Sequence, residues 1–419
     1  MSDSEDGVLD YEEAALEVEL GFVCDDPVSI NATPLHCEPD WTKWDGGQVG
    51  GRPSWLIPST SCIPSTEHLQ CDECKCPLSF LLQIYCPLDE EEDAFHRSLY
   101  VFVCRATGCS RQGDGKTFRL QLPKDNAFYA AESGATELKA TKMDLCTLCG
   151  QRATFTCSAC HVAQYCCKAH QKDHWTAGHK QNCPQCLETH MLVESDEARE
   201  KMITKGSKWV FPEQDLEIDH EPDSREAVNE YEAKLMAEFE KKQDLEIDHE
   251  PDSREAVNEY EAKLMAEFEK NKDQKEGEDE EEMDMDVTQR ELNEALGHTK
   301  DQDPQYVRFL TRVTLAKDQV LRYSRWENEA VLWVHSESMH TGDVPPCERC
   351  GGERKFEFQV LPQLLNYLGV DQQGSLGDIT SRSCEWGTLA VYTCTKSCPL
   401  ETQCAQEFLH YQPAYAGIT

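Results

Sequence analysis

The sequence predicts a mixed but predominantly β protein. Two related β-rich units form one pseudo-duplicated body, each closed by a cysteine cluster. A cysteine- and histidine-rich finger and an acidic, partly helical disordered linker are inserted between them. Three observations predict this. Apolar runs of strand length (Leu78–Tyr85, Leu99–Val103, Phe356–Leu361 and Leu389–Thr393) lie on both sides of the chain's middle. Cysteines recur as C-x2-C pairs at Cys71/Cys74, Cys146/Cys149, Cys157/Cys160 and Cys347/Cys350. Residues 213–303 carry 34 acidic and 11 basic side chains, a separate charged segment between the ordered regions.

The 419 residues allow two or three domains. The net charge is −39, of which residues 213–303 supply −23 and residues 1–19 a further −8. The ordered body is therefore only mildly acidic. A surface of this sign repels phosphate backbones, and no basic helix or stripe offsets it, so direct DNA binding is not expected. No apolar run reaches the ~18 residues of a membrane span. The acidic start, Met1 to Glu19, lacks the basic and apolar parts of a secretory signal. A cytoplasmic protein is expected, with a nuclear pool as a further expectation, although no basic import sequence stands out. In such a compartment 23 cysteines are not a disulfide scaffold, and their paired spacing points to metal.

Composition divides the chain into an acidic tail (1–17), an N-terminal β-rich unit (18–135), the finger (141–190), the acidic linker (205–303) and a C-terminal β-rich unit (304–415). GGQVGG at Gly46–Gly51 reads as a turn before a strand at Ser54–Ile57. Within the linker, residues 214–241 recur unchanged as residues 243–270, a 29-residue period. A solenoid needs about three or more units, usually divergent. Two identical copies point instead to a recent duplication or to an artefact of sequence assembly. Each copy carries a helix start. Asp223 and Glu226 make a capping box ahead of Val228, Tyr231, Leu235 and Phe239, and Asp252 and Glu255 repeat it. The run Glu276–Asp286 completes a solvated spacer, or an arm that contacts a basic partner.

The finger has 38 residues, 146–183, too few for an apolar core of its own. Its two C-x2-C pairs precede Cys166, His170, His179 and Cys183. Eight ligands suit two zinc ions, and metal supplies the folding energy, on the order of 10 kcal/mol per site. Cys167 and His174 are neighbouring competitors as ligands. The flanking units resemble each other. In one, Cys71 and Cys74 precede a strand, and a later strand ends on Cys104 and Cys109. In the other, Cys347 and Cys350 precede a strand, and a later strand ends on Cys394 and Cys398. Each unit is thus expected to close on one four-cysteine zinc site. Free thiols would fill the same places as small apolar side chains, but the paired spacing favours metal. Gly351 supplies the left-handed backbone a knuckle needs after its second cysteine, where the first unit has Lys75. Cys24, Cys37, Cys62, Cys76, Cys86, Cys167, Cys186, Cys384 and Cys404 receive no role.

Residues 146–183 resemble a MYND zinc finger, in both pairs, the Tyr165–Cys166 step and the His174-to-Cys183 ending. The resemblance implies one zinc on Cys146, Cys149, Cys166 and His170, and the other on Cys157, Cys160, His179 and Cys183. His170 stands where many such fingers have cysteine. The resemblance also implies binding of short, proline-containing partner motifs. VELGF (Val18–Phe22), VGGRPSWL (Val49–Leu56), LSFLLQIYCPL (Leu78–Leu88), FEFQVLPQLLNYLGVD (Phe356–Asp371) and WGTLAVYTC (Trp386–Cys394) look like the programmed cell death protein 2 family. That resemblance implies a non-enzymatic chaperone that holds a new, basic small-subunit ribosomal protein for 40S assembly. It also implies links to proliferation, stem-cell maintenance and apoptosis. A MYND-dependent corepressor adaptor is the alternative. An extended or partly folded segment of the client is expected on the exposed strands and in the cleft between the units, with strand addition as one mode. No phosphate loop, G-x-S-x-G elbow or H-E-x-x-H helix is present in the sequence, and zinc with four protein ligands leaves no position for substrate, so no enzyme is expected.

Overall fold

The computed structural model describes residues 18–24, 47–128, 143–193, 201, 205–221, 303–326, 330–370, 384–400 and 403–414. The acidic tail, both predicted linker helices, the run Glu276–Asp286 and Cys37 lie outside these residues.

In chain order the first strands are β1 (Glu19–Val23), β2 (Gly47–Val49), β3 (Ser79–Tyr85), β4 (His96–Val103) and β5 (Gly115–Leu122). The finger follows, with β6 (Phe155–Thr156), β7 (Gln164–Tyr165), α1 (Lys168–His174) and α2 (Lys180–Thr189). Then come β8 (Gln214–His220), α3 (Pro304–Thr314), β9 (Gln319–Tyr323), β10 (Arg354–Val360), β11 (Thr388–Cys394) and β12 (Ala405–Gln412). Ten strands close into one antiparallel barrel in the order β1-β8-β2-β3-β4-β5-β12-β11-β10-β9. The expected paired units thus share a single barrel. Two seams join them: β5 on β12, with Phe118 opposite Gln406, and β1 on β9, with Leu20 opposite Arg322.

The apolar runs form strands because both of their faces are covered. Leu99, Val101 and Val103 of β4 face the barrel core with Leu82, Val320, Phe358 and Val391. Tyr100 and Phe102, on alternate positions, face outward beneath the segment after β2. There Trp55 lies 4.8 Å from Tyr100 and 6.1 Å from Phe102 between ring centroids. The expected strand at Ser54–Ile57 is not one. The backbone N–H of Ser54 donates to Gln83 Oε1 and that of Leu56 to Tyr100 Oη, so side chains satisfy it in place of a neighbouring strand. The strand lies earlier, at Gly47–Val49, inside the glycine-rich stretch. Gly50, at φ 63°, lets the chain cross under Pro212, where a Cβ would stand 1.9 Å from the carbonyl oxygen.

The duplication is visible in detail. A bulge falls in β3 between Phe80 and Leu82, and in β10 between Phe356 and Phe358. In both halves the bulged residue, Leu81 or Glu357, lies seven positions beyond the second knuckle cysteine. In the second half this site holds a carboxylate. Arg97 of β4 reaches across to Glu357 with two hydrogen bonds of 2.6 and 2.7 Å, both side chains fully buried. Tyr323 Oη and Thr393 Oγ1 also donate to Glu357, and the Arg97 guanidinium stacks over Trp326. Burial, the largest single influence, would raise the Glu357 carboxyl, but the charge and hydrogen bonds of Arg97, with the Thr393 hydrogen bond and the Arg325 charge, together hold the group below its ordinary range. A second buried carboxylate, Glu407 of β12, accepts from Arg119 of β5 at 2.7 Å and Arg354 of β10 at 2.9 Å.

The linker begins later than expected. Of its first described residues, Trp209 and Val210 pack on the finger, Phe211 enters the barrel core and β8 fills the gap between β1 and β2. The C-terminal region, expected to be β-rich, opens on a helix. Asp303 caps α3 by accepting from the Gln305 and Tyr306 N–H groups, and also binds Ser336. This helix and Leu332–Glu337 belong to a second compact unit.

Arg97→Met leaves Glu357 buried without its counter-charge and should cost about 3–5 kcal/mol in urea unfolding. Arg97→Met combined with Glu357→Met should recover most of that loss. An unchanged urea midpoint in the single variant would show that the pair does not constrain the fold.

Candidate metal centres

The C-x2-C pairs at Cys71, Cys146, Cys157 and Cys347 sit on the same tight turn, whereas the same spacing at Cys183/Cys186 falls inside α2. The N–H of the residue after the second cysteine donates back to the first cysteine's carbonyl: Lys75 to Cys71 at 3.0 Å, Gly150 to Cys146 at 2.9 Å, His161 to Cys157 at 2.9 Å and Gly351 to Cys347 at 2.8 Å. All four donor residues have positive φ, at 57°, 70°, 57° and 66° in that order. Glycine adopts this readily, whereas Lys75 and His161 do so at a cost on the order of 1 kcal/mol. The turn points both thiols to one side.

The structure brings together all sixteen side chains expected as ligands, in four groups. Cys71, Cys74, Cys104 and Cys109 form one and Cys347, Cys350, Cys394 and Cys398 another; in each, the return strand of its half delivers the second pair. In the finger, Cys146, Cys149, Cys166 and His170 group together, as do Cys157, Cys160, His179 and Cys183. Within each group the candidate ligand atoms lie within 4.8 Å of one another. Cys167 and His174 stand outside. Cys167 caps α1, accepting from the His170 N–H, and His174 Nδ1 meets Tyr165 Oη at 2.8 Å.

These spacings fit zinc. A tetrahedron with Zn–S bonds of about 2.3 Å has sulfur–sulfur edges of about 3.8 Å. The observed Sγ···Sγ distances are 3.8 Å for Cys71–Cys109, 3.7 Å for Cys74–Cys104, 3.7 Å for Cys149–Cys166, 3.9 Å for Cys157–Cys183, 3.8 Å for Cys347–Cys398 and 3.6 Å for Cys350–Cys394. None is a disulfide. His170 presents Nδ1 to its cysteines, 3.2 Å from Cys166, whereas His179 presents Nε2, 3.6 Å from Cys160. Both N–S edges suit the shorter Zn–N bond. With four protein donors in each group, such an ion would be structural, tying strand ends together.

The thiols differ in readiness. The Gly352 N–H, donating to Cys350 Sγ at 3.3 Å, is the main reason that thiol is held down to about 7. Burial, then the neighbouring Cys157 sulfur, pushes Cys183 up to about 12, and burial pushes Cys398 up to about 12. Metal loading must therefore expel protons.

Sequence reasoning missed the strap that joins finger to barrel. Ser207 to Phe211 follows the finger. The Trp209 ring lies 4.8 Å from that of His170, its Nε1 donates to Asp173, and Phe211 is buried in the barrel under the Arg105 guanidinium. Direct bonds reinforce the junction: Trp55 Nε1 donates to the Gly150 carbonyl at 2.9 Å and Gln151 Nε2 to the Leu78 carbonyl at 2.6 Å. Two aromatic residues amid charged sequence were the available sign. The unassigned cysteines have places of their own. Cys62 lies in the outer core and Cys384 in the barrel core, Cys86 accepts from Arg97, Cys186 accepts from the Val193 N–H, and the Cys76 carbonyl accepts from the Cys71 N–H.

Two outcomes follow. Cys350→Ser should lower the zinc bound per chain by one and remove hydrogen-exchange protection from β10 and β11. Full zinc content with unchanged protection would remove this group from the metal centres. On acidification the sign is set by proton competition: zinc is held at neutral pH and lost as pH falls. The group containing exposed Cys350 should release first and the two wholly buried finger groups last, read by alkylation of the freed thiols with mass spectrometry.

Comparison with known proteins places this architecture. The family model for the programmed cell death protein 2 N-terminal domain matches residues 17–136, that for its C-terminal putative domain residues 303–413, and the MYND finger residues 146–183. Programmed cell death protein 2 of Mus musculus is 33% identical over 94% of this chain and 96% of its own length, and that of Rattus norvegicus 34% over 94% and 96%. Programmed cell death protein 2-like of Homo sapiens is 28% identical over 88% of this chain and 90% of its own. No solved structure matches the chain. With matches spanning both halves of the barrel and the finger between them, the chain belongs to the programmed cell death protein 2 family.

Proposed function

We propose that the chain is a zinc-stabilised, non-enzymatic chaperone that holds a newly made, basic small-subunit ribosomal protein and promotes 40S subunit assembly, and so supports proliferation. The observation that carries the reading is the family match over the finger and both halves of the shared barrel. Charge supports it. An unassembled ribosomal protein is highly basic and adheres to RNA. An acidic holder competes for that surface and raises the encounter rate. Exposed Glu217 and Asp219 on β8 begin an acidic stretch that the sequence continues to residue 303. Strand addition in a cleft between the halves is set aside. The barrel is closed, so every strand in it already has two neighbours, and the client must bind faces and acidic segments instead.

A specific observation favours a second reading for the finger. Among the described residues four large apolar side chains are exposed, and three are on or beside it: Trp175 at 36%, Leu187 at 47% and Met191 at 60%. Such a face suits a short, proline-containing motif, as a corepressor subunit would present.

Affinity capture in mild salt, with mass spectrometry, separates the two readings. Deleting the whole insertion would remove β8 as well, so the comparison is the intact chain against Trp175→Ser with Met191→Ser. The chaperone reading predicts one small-subunit ribosomal protein with both, without whole ribosomes, weakening as salt rises. Recovery of corepressor subunits by the intact chain alone, with no ribosomal protein, would replace it with the adaptor.

A further inference from the structure

Strand β8 is the one barrel strand whose sequence occurs twice. Gln214–Glu221 reads QDLEIDHE, and Gln243–Glu250 reads the same. The slot it fills, between β1 and β2, has a defined chemistry. Gly21 and Gly47 face Leu216: a Cβ on Gly47 would lie 2.7 Å from the Leu216 Cβ, and one on Gly21 3.4 Å from its Cδ1. Leu216 is the only side chain of β8 that is buried. Ile218 Cδ1 stands at the same 3.4 Å from a Cβ on Gly21, and the rest of the fit is backbone pairing, Val23 opposite Leu216 and Glu19 opposite His220 on one side, Gly47 opposite Leu216 and Val49 opposite Gln214 on the other. Just past the strand, buried Glu221 accepts from Arg322 at 2.8 Å.

We propose that this slot is a strand-exchange site, which the second repeat, Gln243–Glu250, occupies in competition with β8. Every feature the slot reads is present in that repeat: Leu245 for the glycine-floored position, Glu250 for Arg322, and the same residues between. Reach is sufficient. With Phe211 held in the core, residues 212–242 form the connection, and 31 residues extend to about 100 Å. Connection length sets the balance. β8 needs only Pro212 and Glu213 between Phe211 and the strand, and the −3/2 power of loop length favours it by on the order of tenfold to a hundredfold. Exchange leaves the barrel closed and moves the first repeat from the wall into a loop. The slot thus accepts an extended segment with leucine at its third position and glutamate at its eighth, and the chain carries two.

Substitution of each copy tests this, with the full zinc-loaded chain, by thermal unfolding and hydrogen-exchange mass spectrometry. Leu216→Asp also gives the first repeat a distinct mass, so the two are read separately. In Leu216→Asp, protection should appear at residues 243–249, with less than half the midpoint loss of the double variant. Leu245→Asp alone should change neither. Leu216→Asp with Leu245→Asp should lose roughly 5–10 °C, more than the singles combined. If Leu216→Asp alone loses as much as the double and residues 243–249 stay unprotected, the proposal is overturned. Protection that appears only with concentration-dependent dimers also overturns it, since the repeat would then be filling a neighbour's slot. The single variant decides even if the double variant fails to fold.

Discussion

Arg97 and Glu357 meet with both side chains fully buried, and the barrel is arranged about that contact. Each charge alone would cost several kcal/mol to bury, and their mutual attraction offsets this only in good geometry with the remaining lone pairs satisfied. Two parallel hydrogen bonds, the Tyr323 and Thr393 hydroxyls and the face of Trp326 provide that geometry. Arg97 belongs to one family domain and Glu357 to the other, so neither can satisfy its charge without its counterpart. Glu407, between Arg119 and Arg354, imposes the same condition at the β5–β12 seam. The contact is therefore a register device: the halves must close in one alignment, with the bulge of β10 turned inward.

The metal groups act at the ends of the same strands. In each half a knuckle starts the first long strand and the second cysteine pair ends the next, so a zinc ion there would fix where the two strands stop. The finger does this for a segment with little core of its own. The Trp209 strap then links it to the barrel through His170 on one side and Phe211 on the other. Metal, finger and barrel wall are thus connected through a short stretch that runs directly into β8.

Much of this was legible in the residues. The apolar runs became β3, β4, β10 and β11 because continuous apolar sequence is what a strand covered on both faces requires. The eight ligand candidates of the two barrel halves could be grouped because a C-x2-C pair is a local geometric object whose recurrence survives without any knowledge of the fold, whereas the interleaved grouping of the eight in the finger came from the MYND resemblance. What was not legible depended on distant partners. QDLEIDH alternates polar and apolar residues as a strand does, but its acidity and the helix start after it read as linker, and only a gap between β1 and β2 makes it a strand. Ser54–Ile57 has strand-like residues whose backbone is claimed by Gln83 and Tyr100 instead. Nothing in the sequence placed Arg97 opposite Glu357, 260 residues away.

The two family domains are halves of one barrel and not neighbours. This is tested most directly by producing residues 17–136 and 303–413 separately with zinc and recording the cooperativity of their unfolding. Neither fragment should show a cooperative transition, because each exposes half a core and leaves one charge of the Arg97–Glu357 pair without its partner. Two fragments that each unfold cooperatively, with dispersed amide resonances, would contradict it.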